Sequence, residues 1–259
     1  MRHCRPPAPG ATMRSTAMIM GMPITIEVAD ATSAPIEAAF SYFRSVDERF
    51  SPFKPTSEVS ALNSGAVGPG DLSPEMREVL ALAETTRWDT RGYFNVRRPD
   101  GRIDPSGLVK GWAIRNAARL IAAQGYSDYL VEAGGDLQCA GRNAEEGRPW
   151  RFGIRNPFDA RQSIKTIEPG DAGIATSGTS IRGQHIYDPH QKADLGDIVS
   201  ITVIASDIYD ADRFATAAFA MGRAGIDFIE GTGGLEAYAV DRHGIATMTS
   251  GFKDIVAKC

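Results

Sequence analysis

The sequence predicts a single α+β domain, and three observations lead there. The chain has 259 residues, 42% of them apolar, enough for one sizeable core and incompatible with wholesale disorder. Helical and strand periodicities are mixed without strict βαβ alternation, which speaks against a doubly wound parallel sheet. No linker is long enough to divide the chain, and no internal repeat or low-complexity tract occurs.

The elements follow in order. Residues 1–17 read as a flexible N-terminal tail, Pro-rich over the first fourteen, and 18–259 as the folded domain. Residues 18–29 read as a first strand, with Ile24, Ile26 and Val28 alternating. Ile36, Ala39, Phe40, Phe43, Val46 and Phe50 recur at helical spacing, which predicts a helix over 34–50 opened by Pro35. FSPFKPTSEVSALN then breaks the pattern, with one short helical turn after Ser57. Ser73-Pro74 opens the next helix as a cap followed by proline at the first helical position. After a loop at 92–107, a helix of about 16 residues runs from Leu108 and stops at Gly125. Short apolar runs at 129–132, 136–140, 150–155, 173–175 and 199–205 predict strands. Helices return at 210–221 and 224–230. The chain closes with a hairpin, 235–240 and 245–249, and a last short strand near Ile255.

Composition narrows the function. A net charge of -4 and a pI of about 5.6 argue against general nucleic-acid binding, which needs basic surface. No run of eighteen apolar residues occurs, so no transmembrane segment is expected. The N-terminus carries positive charge but no apolar stretch of a secretory signal, so a cytoplasmic location is expected. Cys4, Cys139 and Cys259 lie far apart and form no CxxC pair, which points to two exposed thiols and one core thiol.

Four segments could carry chemistry. In IDPSGLVKGWAI (103–114), Gly107, Lys110 and Gly111 surround a helix start, where exposed N–H groups and a lysine suit a phosphate. Read alone, Lys110 is a solvated helix lysine and Gly111 a packing residue. VEAGGDL (131–137) puts two glycines after a strand, either for close backbone approach or for a plain turn in which Asp136 bonds its own backbone. IATSGTSIRGQHIYDP (174–189) is rich in small hydroxyl residues and ends with His185 and Asp188; it reads as well as a hydrophilic loop. In YDADRFATAAFAMG (209–222), Asp212 and Thr216 are four apart and share a helix face, offering hard oxygen ligands of the kind Mg²⁺ takes. Read alone, Asp210 and Asp212 simply complement the helix N-terminus.

Taken in order, these pieces resemble the ApbE family of FAD:protein FMN transferases. The resemblance rests on MGMPITI (20–26), FSPFKPTSEVSALN (50–63), GYFN (92–95), IDPSGLVKGWAI (103–114), VEAGGDL (131–137), WRFGIRNP (150–157), IATSG (174–178), HIYDP (185–189) and ADRFATAAFAMG (211–222). It covers roughly residues 18–256. It implies an ApbE-like, T-fold-related single domain of mixed sheets and packed helices. It also implies an Mg²⁺-dependent transfer of FMN from FAD to a Thr or Ser hydroxyl of an acceptor flavoprotein, with release of AMP. Carried over, Asp212, Thr216 and the Gly107 carbonyl would hold the metal. Met20, Phe53, Tyr93, Phe94, Asn95, Asp104, Lys110 and Ile186 would line the FAD site. His185 would help remove the acceptor's proton, since an imidazole titrates near ~6.5, with Asp188 as a weaker candidate. The chain departs from the family pattern in places. Phe53 stands where tyrosine is common, Asn95 replaces an aspartate, and Arg115 stands where an aspartate commonly follows the KG motif. Asn95 and Asp104 are only nine apart, a compact variant of a longer insert. Two alternatives share these residues: an FAD pyrophosphatase yielding FMN and AMP, and a non-catalytic FAD-binding protein.

Overall fold

The computed structural model describes residues 12–179 and 197–258. One eight-stranded sheet organises them, with every neighbouring pair antiparallel. Its order is β1 (Thr12–Ile19), β2 (Met22–Ala29), β3 (Tyr129–Ala133), β4 (Asp136–Ala140), β9 (Ala172–Gly178), β10 (Ile198–Ala205), β11 (Glu236–Asp241) and β12 (Ala246–Met248). Two small hairpins, β5 (Arg142–Asn143) with β6 (Arg148–Pro149) and β7 (Phe152–Arg155) with β8 (Ser163–Ile167), lie outside it. The helices are α1 (Ser33–Phe50), α2 (Glu58–Ser64), α3 (Pro74–Asp89), α4 (Ser106–Ala122), α5 (Ile208–Ala220) and α6 (Ala224–Glu230).

Period-2 alternation divides the sheet's side chains between two cores. Ile24, Ile26, Val28, Val131, Ile201 and Val203 meet the helices on one face. Leu130, Cys139, Ile174, Ile204, Tyr238 and Val240 pack on the other face against Trp150, Ile154, Ile167 and Phe252. Cys139 is the expected core thiol; burial pushes its pKa up to about 12. Ser73 caps α3 as read, and Ser57 caps α2, each accepting the backbone N–H three residues on.

Several expectations need correction. The strand expected over 18–29 is the closing end of a hairpin, and Thr12–Ile19, placed mostly in the tail, form β1. The turn falls at Met20 and Gly21, both in the left-handed region with φ 56° and 71°, as a two-residue hairpin requires. β1 has only Met13, Ala17 and Ile19 as apolar inward residues, too weak an alternation to read. β8 and the β5–β6 hairpin also escaped the pattern. The strand expected near Ile255 is a 3-10 turn, Phe252–Ile255, followed by a single bridge from Val256 to Ile167.

The sheet fixes α5 through two contacts. The Ile208 N–H donates to Gln138 Oε1 on β4 at 2.8 Å. Gly173 on β9 lies so close to the helix start that a Cβ there would overlap the backbone of Asp207 and Ile208. Neither side can yield without moving α5, so Gly173→Ala is expected to cost about 2 kcal/mol or more. The check is a lower urea midpoint at unchanged slope; a wild-type midpoint would show that this contact is not tight.

Candidate functional site

α4 and α5 pack against each other above β4 and β9. They approach closely at Gly111. A Cβ there would lie 2.7 Å from Asp212 Cβ and 3.0 Å from the Ile208 carbonyl oxygen, so only glycine permits it. The Gly111 N–H, which an undisturbed helix gives to the carbonyl four residues back, donates to Asp212 Oδ2 at 2.7 Å. That carbonyl belongs to Gly107, so the bond to Asp212 competes directly for its partner. A Cβ on Gly107 would itself lie 3.8 Å from Thr216 Cγ2 and 3.4 Å from Phe94 Cε2. The fold thus brings Gly107, Asp212 and Thr216 together across more than 100 residues of sequence.

Lys110 adds a charge to this place. Its Nζ contacts Asp136 Oδ2 and lies 3.4 Å from Asp212 Oδ1. Asp136 Oδ1 accepts the Thr176 N–H at 3.0 Å. Both carboxylates are almost fully buried, with 2% and 3% of their residues' surface exposed. Among the described residues, two anions and one cation leave a surplus negative charge in a low-dielectric setting. The Asp212 pKa is accordingly raised to about 6. Burial is the main cause and Asp136 adds to it, while Lys110 and the Gly111 N–H pull the other way. An oxygen-rich place with excess negative charge accommodates a hard divalent cation. Among the described residues no group of three or more His, Cys, Asp or Glu side chains converges for a metal ion. A cation here would therefore rely on Asp212 together with hydroxyl and main-chain oxygens.

The other expected residues that the structure describes lie on loops. Phe53, between α1 and α2, is 91% exposed, an aromatic face offered to solvent. Met20 sits in the β1–β2 turn, partly buried against the main core. Tyr93 is half-buried, and Phe94 is a core residue beneath Gly107. Asn95 is exposed and its Oδ1 accepts the Arg97 N–H at 2.9 Å. Asp104 Oδ1 accepts from both the N–H and the Oγ–H of Ser106, at 3.1 and 2.6 Å, securing the start of α4. His185, Ile186 and Asp188 lie outside the described residues.

Three residues have roles that sequence reading missed. Asp136 bonds β9 and Lys110, with neither contact to its own turn. Its signal was position, directly after Gly134 and Gly135, whose φ values of 60° and 97° make the tight β3–β4 turn. Asn63 makes two 2.8 Å hydrogen bonds with the backbone of Ile103, tying α2 to the loop before α4. That compact loop closes as a small hairpin bridged at Arg97 and Ile103. Arg115 turns toward α3 and α5, its guanidinium 4.5 Å from the Tyr209 ring centroid and 3.7 Å from Glu78.

Comparison with known proteins gives a consistent result. The ApbE family model matches residues 20–98 and 96–239. An FAD:protein FMN transferase of Vibrio cholerae serotype O1 is 37% identical over 134 residues, 48% of this chain and 40% of its own length. One from Escherichia coli K12 is 32% identical over 162 residues, 59% of this chain and 46% of its own length. The aligned part thus spans less than half of these curated relatives. Among solved structures, the flavin transferase ApbE from Vibrio cholerae superposes with a TM-score of 0.83 at 23% identity, over 95% of this chain and 99% of that one. The apbe protein from Thermotoga maritima gives 0.83 at 20% identity, over 96% and 100%. At these identities the likeness is one of fold.

The raised Asp212 pKa has a measurable consequence in metal-free buffer. The folded protein holds this proton to higher pH than the unfolded chain. The group therefore contributes stability that is fully present below the ordinary carboxyl range and lost as pH rises to about 6. Asp212→Asn removes that loss. Its unfolding free energy relative to wild type is expected to rise between pH 4 and pH 7, in matched denaturation curves. A difference that stays flat would show that Asp212 ionises normally.

Proposed function

The chain belongs to the ApbE family, and from that premise we propose that it is an Mg²⁺-dependent enzyme transferring the FMN half of FAD to a threonine or serine hydroxyl of an acceptor flavoprotein. The observation that carries the reading is the meeting of Gly107, Lys110, Asp212 and Thr216 at one α4–α5 contact. The names of the curated relatives support the same activity.

The reaction forms a bond between the acceptor oxygen and the FMN phosphorus and breaks the diphosphate bond to AMP, which leaves with the electron pair. Asp212, Thr216 and the Gly107 carbonyl would hold Mg²⁺, which when bound neutralises diphosphate charge and favours in-line displacement. Lys110 and the amides opening α4 add positive potential for the same diphosphate. Asp104 stabilises that opening and would bond the nucleotide. Phe53 offers a ring face for stacking on flavin or adenine. Met20, Tyr93, Asn95 and Ile186 complete the FAD site, while Phe94, a core residue, supports Gly107 from beneath. His185 takes the acceptor's proton, with Asp188 as the second candidate.

Incubation with FAD, Mg²⁺ and an acceptor flavoprotein, followed by denaturing electrophoresis, is expected to leave in-gel flavin fluorescence on the acceptor. Asp212→Ala is expected to reduce the labelling rate at least about 100-fold. Full labelling by that variant would overturn the metal assignment. Free FMN and AMP formed without labelling would identify a pyrophosphatase instead, and tight FAD binding without turnover would identify a binding protein.

A further inference from the structure

We propose that Asp136 is a positioning residue whose carboxylate holds the Lys110 ammonium off Asp212 and thereby keeps Asp212 open to a divalent cation. The inference rests on the reading of Asp212 as a metal ligand.

The geometry behind it is asymmetric. Lys110 is largely buried, with 15% of its side chain exposed, and two carboxylates compete for it. Its Nζ is in direct contact with Asp136 but stands 3.4 Å from Asp212 Oδ1. Asp136 is well placed to win. It is the first residue of β4, its backbone is set by the preceding glycine turn, and its other oxygen is fixed by the Thr176 N–H on β9. Asp212 Oδ2 is already engaged by the Gly111 N–H, so Oδ1 is the oxygen left facing Lys110. Without the Asp136 anion, the Asp212 carboxylate, already 3.4 Å away, is at hand as a partner for the ammonium. A short side-chain movement would then close a tight ion pair on the oxygen a cation needs. Asp136 so acts on metal binding through Lys110, in addition to the charge it contributes itself.

A double-mutant cycle on the full chain separates position from charge. Mn²⁺ affinity is measured by titration calorimetry without FAD for wild type, Asp136→Asn, Lys110→Met, the double variant and Asp212→Asn. Asparagine retains an oxygen for the Thr176 N–H, and melting curves report folding of each protein. Asp136→Ser, also neutral, enters the same cycle where the asparagine variant does not fold. Asp136→Asn is expected to weaken Mn²⁺ binding about tenfold or more, and Lys110→Met to recover most of that loss in the Asp136→Asn background while changing the wild-type affinity less than about threefold. Unchanged affinity in Asp136→Asn would overturn the proposal. So would an equal effect of Lys110→Met in both backgrounds, which would make Asp136 a charge acting at a distance. If wild type and Asp212→Asn bind Mn²⁺ alike, the metal reading itself fails and takes the proposal with it, a result distinct from either of the others.

Discussion

A single main-chain N–H, donated by Gly111 to the Asp212 carboxylate, ties the two central helices of this protein where they pack tightly. The contact demands glycine, because any side chain at 111 would strike Asp212 and the Ile208 carbonyl. It orients the carboxylate without spending Lys110 on that task. It also competes for the hydrogen that a regular helix gives to the Gly107 carbonyl. One close helix crossing therefore sets the direction of the Asp212 carboxylate, and the sheet holds that crossing in place through Gln138 and Gly173.

The charges around this crossing carry a cost. Burying two carboxylates with one ammonium forgoes hydration worth several kcal/mol per ion in general, only partly regained by mutual attraction. The raised pKa of Asp212 expresses that imbalance. A stable core would replace such a triad with apolar side chains. Its presence above a well-packed sheet is the local inconsistency that functional sites show. The Asp136 contact with β9 keeps the triad ordered in spite of its cost, since a fixed partner limits the arrangements open to Lys110.

The departures from the family pattern find physical places. Arg115 is taken up by the Tyr209 ring, whose hydroxyl lies 3.2 Å from Thr86 Oγ1, so it braces α3, α4 and α5 away from Lys110. Asn95 makes a local turn. The loop between Asn95 and Asp104 folds back on itself as a compact hairpin and is secured by Asn63.

Much of the fold was legible because its signals are local. The apolar spacing of α1, the serine cap of α3, and the short apolar run of β10 each depend on neighbours within a few residues, where chain geometry fixes who faces whom. Asp212 and Thr216 could be paired for the same reason. β1 was missed because an edge strand with few apolar residues has little alternation to show. The partnership of Asp136 with Lys110, the claim of Gly111 on Asp212 and the turning of Arg115 away from the site belonged to the tertiary structure alone. They join residues 26 to 101 positions apart, and charge interactions follow distance and burial in space, which no spacing along the chain encodes.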